Sequence, residues 1–384
     1  MKLEQFDVVK FISRGSYSIV YEAVYTRDAD NTTTITTKTC ALKRVFLQNY
    51  AAIQCALREH HILLRLAQAG DQSPFLGTLF QSFRICSSPT FVMRKGSGFD
   101  LQDVLANVGF LGRKAARFYS CEIICGLEHL HAMRIVHLDV KPSNMLLSDS
   151  GHLFITDFDR SYDMSWESGP PNKADFTGTP FFMAPEVKAR VEITTKADVW
   201  SLGILMGCIM YGSVTVENWL RNGRHREGRF PKLSKPLQDF FKACLTHDHR
   251  RRVDIAGVKC LKLYEGVNWE EVMVCNMEPP YHPSKLHLSA ALREFNLDPH
   301  DPLLLKAAYD TSMPLIDRCL RDTHDGCGVR RLITIPPDYK NLARAGMTPE
   351  RIDGLFANFA FNNHHLQSTE AVDRKQTTSA DENV

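Results

Sequence analysis

Four polar side chains in the middle of the chain have the types and the spacing that phosphoryl transfer requires. Asp139 is followed by Lys141 and Asn144 in a tight loop that contains a proline, and Asp157 follows a short apolar strand, residues 153–155. One carboxylate can orient an attacking hydroxyl, and one ammonium can stand beside the moving phosphoryl group. An amide oxygen and a second carboxylate can hold metal ions on the phosphates. The set therefore predicts phosphoryl transfer from a metal-bound nucleotide.

The two short motifs that carry these residues also have a plainer interpretation, because a loop rich in Asp, Ser and Asn is usually only a turn. Two spaced motifs in the right order favour a catalytic role instead. Residues 137–144 read H-x-D-x-K-x-x-N, and residues 157–159 read D-F-x. Together they resemble the catalytic and metal-binding loops of protein kinases.

This resemblance implies an α+β fold, the bilobal protein kinase fold, with a β-rich small lobe, an α-helical large lobe and a C-terminal extension. It also implies ATP and Mg²⁺ as cofactors. In the family, Asp139 would orient the substrate hydroxyl and accept its proton, and Lys141 would steady the γ-phosphoryl group. Asn144 and Asp157 would be the metal ligands.

Length, charge and cysteine spacing fit such a protein. The chain has 384 residues, 44% of them hydrophobic, and a formal net charge of +2, which is long enough for two lobes and a tail. The near balance of charge gives no case for nucleic acid or an acidic membrane as a partner. No apolar run reaches the roughly 18 residues of a membrane span. The eleven cysteines lack C-x-x-C spacing, which favours a reduced, intracellular protein of the cytoplasm or the nucleus.

Residues 6–25 alternate in hydrophobicity and predict a β-hairpin whose tip lies near Gly15. In protein kinases this tip is a loop over the nucleotide phosphates with the pattern Gly-x-Gly-x-x-Gly. The three positions are Ser13, Gly15 and Ser18 here, so only the middle glycine is kept. Serine lets the backbone approach a phosphate but restricts φ, so we expect looser nucleotide handling.

A lysine and a glutamate complete the phosphate site by resemblance. A threonine-rich segment, residues 31–39, predicts a polar turn, and Lys43 then ends a C-A-L-K segment that resembles the V-A-I-K strand of kinases. A helix with an apolar face is predicted from about residue 51 to 67, and it carries Glu59. Either charge alone would be an ordinary surface residue, but the family pairs them at these positions.

The strand that ends at Met93 resembles the entry to the hinge between the lobes. Met93 takes the gatekeeper position, the backbone from Arg94 to Gly96 would contact the adenine edge, and Asp100 would lie near the ribose. The resemblance implies the following nucleotide-binding residues: Ile12, Ser13, Arg14, Gly15, Ser16, Tyr17, Ser18, Val20, Ala41, Lys43, Met93, Arg94, Gly96, Asp100 and Leu146.

The C-terminal half resembles the AGC group of serine/threonine kinases. A long buried helix is predicted over residues 115–131, and the sequence A-R-F-Y near its start is similar to that group. Residues 184–186 match the A-P-E motif, and Arg252 ends a segment that resembles D-P-x-x-R. In the family this arginine pairs with the A-P-E glutamate, so we expect Arg252 to bind Glu186.

The activation segment departs from the family at two positions that act together. Residues 175–180 align with T-F-C-G-T-P, but Asp175 stands in place of the phosphorylated threonine, and Leu138 replaces the arginine that binds its phosphate. A carboxylate carries less charge and fewer acceptors than phosphate, and no partner for Asp175 is evident. We therefore expect a kinase that is not switched by phosphorylation here. Asp159, in place of the D-F-G glycine, could bind metal or repel it.

Substrate preference is also altered at the residues that arginine-directed AGC kinases use. Two of their acidic positions are Ser143 and Cys208 in this chain, and only Asp100 remains acidic. A preference for arginine-rich sites is therefore not expected. By resemblance, Lys141 favours a serine or threonine hydroxyl over tyrosine.

Two motifs resemble the AGC C-terminal extension. Trp269 precedes a P-P-Y-x-P motif at residues 279–283, and residues 356–361 are similar to the hydrophobic motif F-x-x-F-[ST]-[FY], with Ala360 at its phosphosite. In the family this motif folds back onto the small lobe. An ordinary amphipathic helix end is the alternative. The predicted domains are a small lobe (1–95), a large lobe (96–265), a C-terminal extension (266–362) and a disordered tail (363–384).

The sequence thus predicts a protein serine/threonine kinase whose partner is a protein substrate with a serine or threonine acceptor. The catalytic residues would be Asp139, Lys141, Asn144, Asp157, Lys43 and Glu59. We expect no nucleic acid or membrane partner, and we expect the chain's own tail to dock on the small lobe. The alternative is a pseudokinase, a nucleotide-binding or scaffold module. The missing glycines and Asp159 favour that alternative, whereas the filled catalytic positions favour the enzyme.

Overall fold

The structure, a computed structural model, describes residues 6–28, 35–85, 87–166, 171–223, 230, 233–286 and 337–363. The described residues of 1–69, 78–95 and 293–384 form one compact unit, the first unit, and those of 70–77 and 96–292 form the second unit. The first unit is built on a β-sheet and the second is mainly helical. This is the bilobal α+β kinase fold that the sequence predicted.

Alternating apolar residues build the sheet of the first unit. In the described part of the chain its strands are β1 (Phe6–Arg14), β2 (Ser18–Asp28), β3 (Ile35–Val45), β4 (Leu79–Ile85), β5 (Ser88–Met93) and β10 (Phe361–Asn362), in the order β1-β2-β3-β5-β4-β10. All neighbouring pairs are antiparallel. Because side chains alternate between the faces of a sheet, one face can form a core that includes Ile19, Tyr21, Leu42 and Val92.

Helix α1 (Tyr50–Gln68) is the long helix of the first unit. It begins after Asn49, whose side-chain oxygen accepts the N–H of Ala52 at 2.9 Å, an N-cap that satisfies one otherwise unpaired N–H. Its apolar side buries Ile53, Ile62 and Leu63, which leaves Glu59 on a buried turn of the same helix.

The second unit contains helices α2 (Leu101–Val108), α3 (Arg113–Ala132), α4 (Pro185–Lys188), α5 (Lys196–Tyr211), α6 (Ser213–Arg221), α7 (Lys235–Cys244), α8 (Ile255–Lys259) and α9 (Trp269–Met273). Helix α5 is apolar almost all round and nearly wholly buried, as expected of a core helix. Strand β6 (Ile135–Val136) pairs with β9 (Tyr162–Asp163), and β7 (Met145–Leu147) pairs with β8 (Leu153–Ile155). These short ribbons hold the two loops that carry the predicted catalytic residues.

Two helices of the C-terminal extension, α10 (Tyr339–Arg344) and α11 (Pro349–Leu355), belong to the first unit. The predicted disordered tail lies outside the described residues apart from Asn363, which is buried and donates its N–H to Phe80 O at 2.9 Å. None of the described helices is long and apolar enough to cross a membrane.

Most predicted elements are present close to their predicted bounds, but the polar turn at residues 31–39 is wrong in part. Residues 35–39 are the first half of β3, paired with β2 as far as Ile35 and Asp28. Threonine is β-branched and favours strands once a neighbouring strand is available. Residues 31–34 lie outside the described part of the chain.

Candidate active site

Asp198 fixes the backbone of the loop that carries Asp139. This fully buried carboxylate accepts the N–H of His137 on one oxygen and the N–H of Leu138 on the other, both at 2.8 Å. His131 Nε2 adds a contact at 2.9 Å. The loop holds Leu138 at φ 63°, a left-handed conformation that is unfavourable for residues other than glycine. The position of the loop is therefore set by buried hydrogen bonds rather than by its own propensity.

Asp139 is the centre of a network of short hydrogen bonds. Lys141 Nζ donates to Asp139 Oδ2 at 2.6 Å, and Asn144 Nδ2 donates to the same oxygen at 3.1 Å. Thr179 donates its hydroxyl to Asp139 Oδ1 at 2.6 Å and its backbone N–H at 2.8 Å. Lys141 Nζ also donates to Thr179 Oγ1 at 3.0 Å. The structure thus brings three predicted catalytic residues together and adds Thr179, which sequence reasoning missed.

The network sets the protonation state of Asp139. Burial acts to raise the pKa of this carboxyl, but hydrogen bonds from Lys141 and Thr179, with the charges of Lys141 and His137, outweigh burial and lower the pKa. Asp139 is therefore ionised near neutral pH and accepts hydrogen bonds. Because a carboxylate with a low pKa is a weak base, this site suits the orientation of a hydroxyl better than early removal of its proton.

His137 makes a hydrogen bond through each of its ring nitrogens. Its Nδ1 accepts the backbone N–H of Asp139 at 3.2 Å, so the ring proton lies on Nε2. Nε2 then donates to Thr156 O at 3.1 Å. The imidazole therefore ties the loop of Asp139 to the loop of Asp157.

Asn144 and Asp157 carry donor atoms that suit magnesium. The amide nitrogen of Asn144 donates to Asp139 O at 2.9 Å and to Asp139 Oδ2, which makes its amide oxygen the atom for a metal. Thr156 N–H donates to Asn144 O at 3.0 Å and holds the neighbouring Asp157 beside this loop, at φ 66°. Magnesium prefers oxygen ligands and is commonly held by one or two carboxylates with substrate phosphates. The donor set therefore fits the predicted metal.

Asp159 forms an ion pair with the neighbouring Arg160. Arg160 Nε lies 3.6 Å from Asp159 Oδ1, and Arg160 Nη1 donates to Thr177 Oγ1 at 2.6 Å. Asp175, for which the sequence indicated no partner, accepts the N–H of Asn172 on Oδ2 at 2.8 Å. The carboxylate at the family's phosphosite is therefore used in a local turn.

Leu138 occupies the position where the family has a phosphate-binding arginine. Its side chain is apolar and buried, so this position carries no cation. Tyr162 lies near Asp175, and the pKa of its phenol is raised by burial and by the charges of Asp175 and Asp163. The phenol of Tyr162 therefore stays protonated and neutral beside Asp175.

In the first unit, Lys43 Nζ lies 2.7 Å from Glu59 Oε1, and both side chains are buried. This is the pair expected from position. Val20 is the strand partner of Lys43, and Ala41 is the partner of Met93. Because directly paired residues share a face of an antiparallel sheet, these nucleotide-site candidates lie on the face opposite the apolar core.

The tip between β1 and β2 is closed by a bond from Gly15 N–H to Ser18 O at 2.9 Å. A Cβ at Gly15 would lie 2.7 Å from Ser18 Oγ, so a larger residue there would displace the serine hydroxyl. The other candidates of the tip lie at the end of β1, in the turn or at the start of β2: Ile12, Ser13, Arg14, Ser16, Tyr17 and Ser18.

The hinge candidates fall in different units. Arg94 donates its N–H to Thr78 O at 2.9 Å within the first unit. Gly96 packs against Leu147 O, 3.0 Å from where a Cβ would lie, and Leu146 forms a bridge with Asp100 in the second unit. Backbone groups of the second unit therefore fix the positions of Gly96 and Leu146.

Asp100 has a structural role that the sequence did not predict. Its carboxylate accepts the N–H of Asp103 at 2.9 Å, and the Asp103 carboxylate accepts the N–H of Asp100 at 3.0 Å, a capping box at the start of α2. Burial, with the nearby charge of Asp103, raises the pKa of Asp100 to about 6. The predicted ribose contact would compete with this cap.

The F-x-x-F-A-F segment lies on β4 and α1 within the first unit. Phe359 stacks on His60 at 4.1 Å and meets Phe91 edge-on at 5.3 Å between ring centroids. Ser82 Oγ donates to Phe359 O at 2.7 Å, and β10 pairs with β4 through Phe361 and Ser82. Backbone and ring contacts therefore combine at this edge of the sheet.

The predicted pair of Glu186 and Arg252 is confirmed. Arg252 Nη1 and Nη2 donate to the two Glu186 oxygens at 2.7 and 3.0 Å, and both side chains are buried. The residues that sequence reasoning missed, Thr179, Asp198 and Arg160, had only weak signals. Thr179 falls within the segment that aligns with T-F-C-G-T-P, but nothing local indicates that it binds the carboxylate of Asp139.

Comparison with known proteins agrees with this geometry. A family model described as the protein kinase domain matches residues 6–262. The chain is similar to the probable serine/threonine protein kinase IRE4 of Arabidopsis thaliana, with 28% identity over 309 residues, 71% of this chain and 29% of the relative. It is also 28% identical over 306 residues to beta-adrenergic receptor kinase 1 of Homo sapiens, covering 76% of this chain and 43% of the relative.

A third relative is G protein-coupled receptor kinase 2 of Caenorhabditis elegans, with 28% identity over 311 residues, 76% of this chain and 42% of the relative. The chain therefore spans less than half the length of each of these relatives.

Proposed function

Because the chain belongs to the protein kinase family and is of the AGC type, we propose that it transfers the γ-phosphoryl group of ATP to a serine or threonine hydroxyl of a protein substrate. The observation that carries this proposal is the network around Asp139, in which Lys141, Asn144 and Thr179 all donate to one ionised carboxylate. A network of this kind pre-organises charge and hydrogen bonds at a reacting centre.

In this proposal Asp139 orients the substrate hydroxyl, and Lys141 stands beside the phosphoryl group as it moves. Protein kinases generally use ATP and Mg²⁺, and bound magnesium would neutralise charge on the phosphates. Asn144 and Asp157 would hold the metal. Lys43, kept in place by Glu59, would bind the α and β phosphates, and the Gly15 tip would cover them.

We propose serine or threonine as the acceptor because Lys141, which favours such hydroxyls at this position in the family, donates to Asp139 Oδ2 at 2.6 Å. The name of the Arabidopsis thaliana relative, a probable serine/threonine protein kinase, agrees with that acceptor. We further propose a cytoplasmic or nuclear location, which the lack of C-x-x-C spacing among the cysteines favours.

We propose that phosphorylation of the activation segment does not control the activity. Asp175 replaces the acceptor and is bonded to the Asn172 backbone, and buried Leu138 replaces the cationic receptor. We expect the chain to be active without phosphate on this segment.

We also propose that the chain's own C-terminal segment docks on the first unit. The contacts of Phe359 with His60 and the pairing of β10 with β4 support it. Ala360 cannot be phosphorylated, so the contacts would form without modification. They would brace α1, which carries Glu59.

A pseudokinase remains the second candidate, favoured by Asp159 and by the serines at positions 13 and 18. The deciding experiment measures phosphate transfer by the full chain to a peptide array with ATP and Mg²⁺, with Asp139→Asn as the control. We expect turnover that falls by at least about 100-fold in the variant. A Mg²⁺-dependent thermal shift by ATP without turnover that depends on Asp139 would select the pseudokinase.

A further inference from the structure

We infer that Arg160 is a positioning residue that holds the activation segment through Thr177, the role that a phosphate bound to a cationic receptor has in kinases switched by phosphorylation. This inference rests on the proposed kinase activity and goes beyond it, because it names the contact that replaces phosphorylation.

The geometry begins at the turn that follows Asp157. Residues Phe158–Arg160 form a 3₁₀ turn, and the guanidinium of Arg160 extends from it to Thr177 Oγ1 at 2.6 Å. The side chain of Asp159 lies 3.6 Å from Arg160 Nε. A charged donor with a hydroxyl acceptor makes a stronger hydrogen bond than a neutral pair. The aspartate at the D-F-G glycine position thus orients the arginine.

The contact lies two residues along the chain from Thr179, which binds the carboxylate of Asp139. Thr177 leads through Gly178 to Thr179, whose N–H and hydroxyl both bind Asp139 Oδ1. Gly178 has φ 139°, and a Cβ there would lie 2.5 Å from Leu138 O. The chain therefore passes closely over the catalytic loop between the Arg160 contact and the Asp139 contact, so a shift at Thr177 moves Thr179.

Two other interpretations of the contact predict different experimental results. One is a surface hydrogen bond without a positioning role, and the other is a phosphosite at Thr177. If the contact were only a surface hydrogen bond, its loss would change neither the position of Thr179 nor catalysis. If Thr177 were a phosphosite with Arg160 as its receptor, activity would require phosphate on Thr177.

The test uses the full chain and three variants. Thr177→Val removes the hydroxyl at similar size, Arg160→Met removes the donors, and Thr177→Ser keeps the hydroxyl as the conservative rescue. The first readout is hydrogen exchange at the Thr179 amide, followed in a peptide of residues 176–182, which needs no activity. The second is kcat for peptide phosphorylation beside KM for ATP, with intact mass to count phosphates.

We expect faster exchange at Thr179 and a kcat lower by about 10- to 100-fold in Thr177→Val and Arg160→Met, with KM for ATP unchanged and Thr177→Ser close to the wild type. The double variant should be no worse than either single one. Unchanged exchange in both single variants, or a need for phosphate on Thr177, overturns the inference. If the wild type shows no turnover that depends on Asp139, the proposed function fails. The exchange result alone then tests whether Arg160 positions the segment.

Discussion

Thr179 donates both its hydroxyl and its backbone N–H to one oxygen of Asp139, at 2.6 and 2.8 Å. One residue of the activation segment therefore fills much of the hydrogen-bonding capacity of the candidate catalytic carboxylate. The position of the segment and the electrostatics of the reacting centre are coupled at this contact, without any modified residue.

The first prediction concerns the hydroxyl of Thr179. In Thr179→Val, Asp139 Oδ1 and Lys141 Nζ lose a partner, so we expect kcat to fall by about 10- to 100-fold with little change in KM for ATP. Thr179→Ser keeps the hydroxyl and is the matched control. Steady-state kinetics on a serine peptide measure both variants, and equal kcat values for the two would contradict a role for this hydroxyl.

The second prediction concerns the buried ion pair of Glu186 and Arg252. Removal of one partner leaves an unpaired buried charge, so Arg252→Met should lower the free energy of unfolding by roughly 3–5 kcal/mol. Urea denaturation followed by tryptophan fluorescence measures it. Lys235→Met is the control, because Lys235 and Asp239 form an exposed pair worth about 0.3–0.5 kcal/mol. A loss in Arg252→Met no larger than in this control would show that the pair is dispensable.

The candidate residues whose proximity the sequence could predict are those whose relationship is local or set by a motif. Asp139, Lys141 and Asn144 lie within one short loop, so their spacing alone brings them together. Lys43 and Glu59 are on adjacent elements, and each falls at a fixed place in a strand or helix pattern.

The contacts that the sequence could not predict depend on the path of the chain between distant segments. The contact of Arg160 with Thr177 needs the activation segment to return over the turn after Asp157, and no spacing rule encodes that return. By resemblance the sequence predicted only a ribose contact for Asp100, and the helix cap becomes evident from the start of α2 in the structure. The strand at residues 35–39 required knowledge of its partner β2.

The third prediction concerns Phe359, which is buried between His60 and Phe91. Phe359→Ala removes these ring contacts and should cost roughly 3–5 kcal/mol of local stability. We expect faster hydrogen exchange at Asn363, whose N–H is bonded to Phe80 O. Phe361→Ala is the control, because that ring is only half-buried. Equal exchange rates in the two variants would argue against Phe359 as the anchor of the segment.

The fourth prediction concerns the pH dependence of the same contact. Ser82 Oγ donates its proton to Phe359 O, so His60 Nε2, 3.0 Å from Ser82 Oγ, must be the donor to Ser82. Burial lowers the pKa of His60 from 6.5 to about 4, with the charge of His61 acting the same way and the bond to the Phe359 backbone opposing it. Neutral His60 therefore fits its pocket, and protonated His60 does not.

The sign follows from proton uptake. Between pH 6.5 and about 4 the unfolded chain binds a proton that the folded pocket excludes, so the contribution of His60 to stability is complete above pH 6.5 and declines as the pH falls to about 4. The decline is about 1.4 kcal/mol per pH unit at most. Urea midpoints at pH 7.5, 5.5 and 4.5 measure it against His60→Gln, which can still donate to Ser82 but does not titrate. Because other groups titrate in both proteins, the wild type should lose more stability than the variant on acidification. Parallel pH curves would mean that His60 is protonated in the folded pocket at no cost, and the segment would then not be held by this hydrogen-bond arrangement.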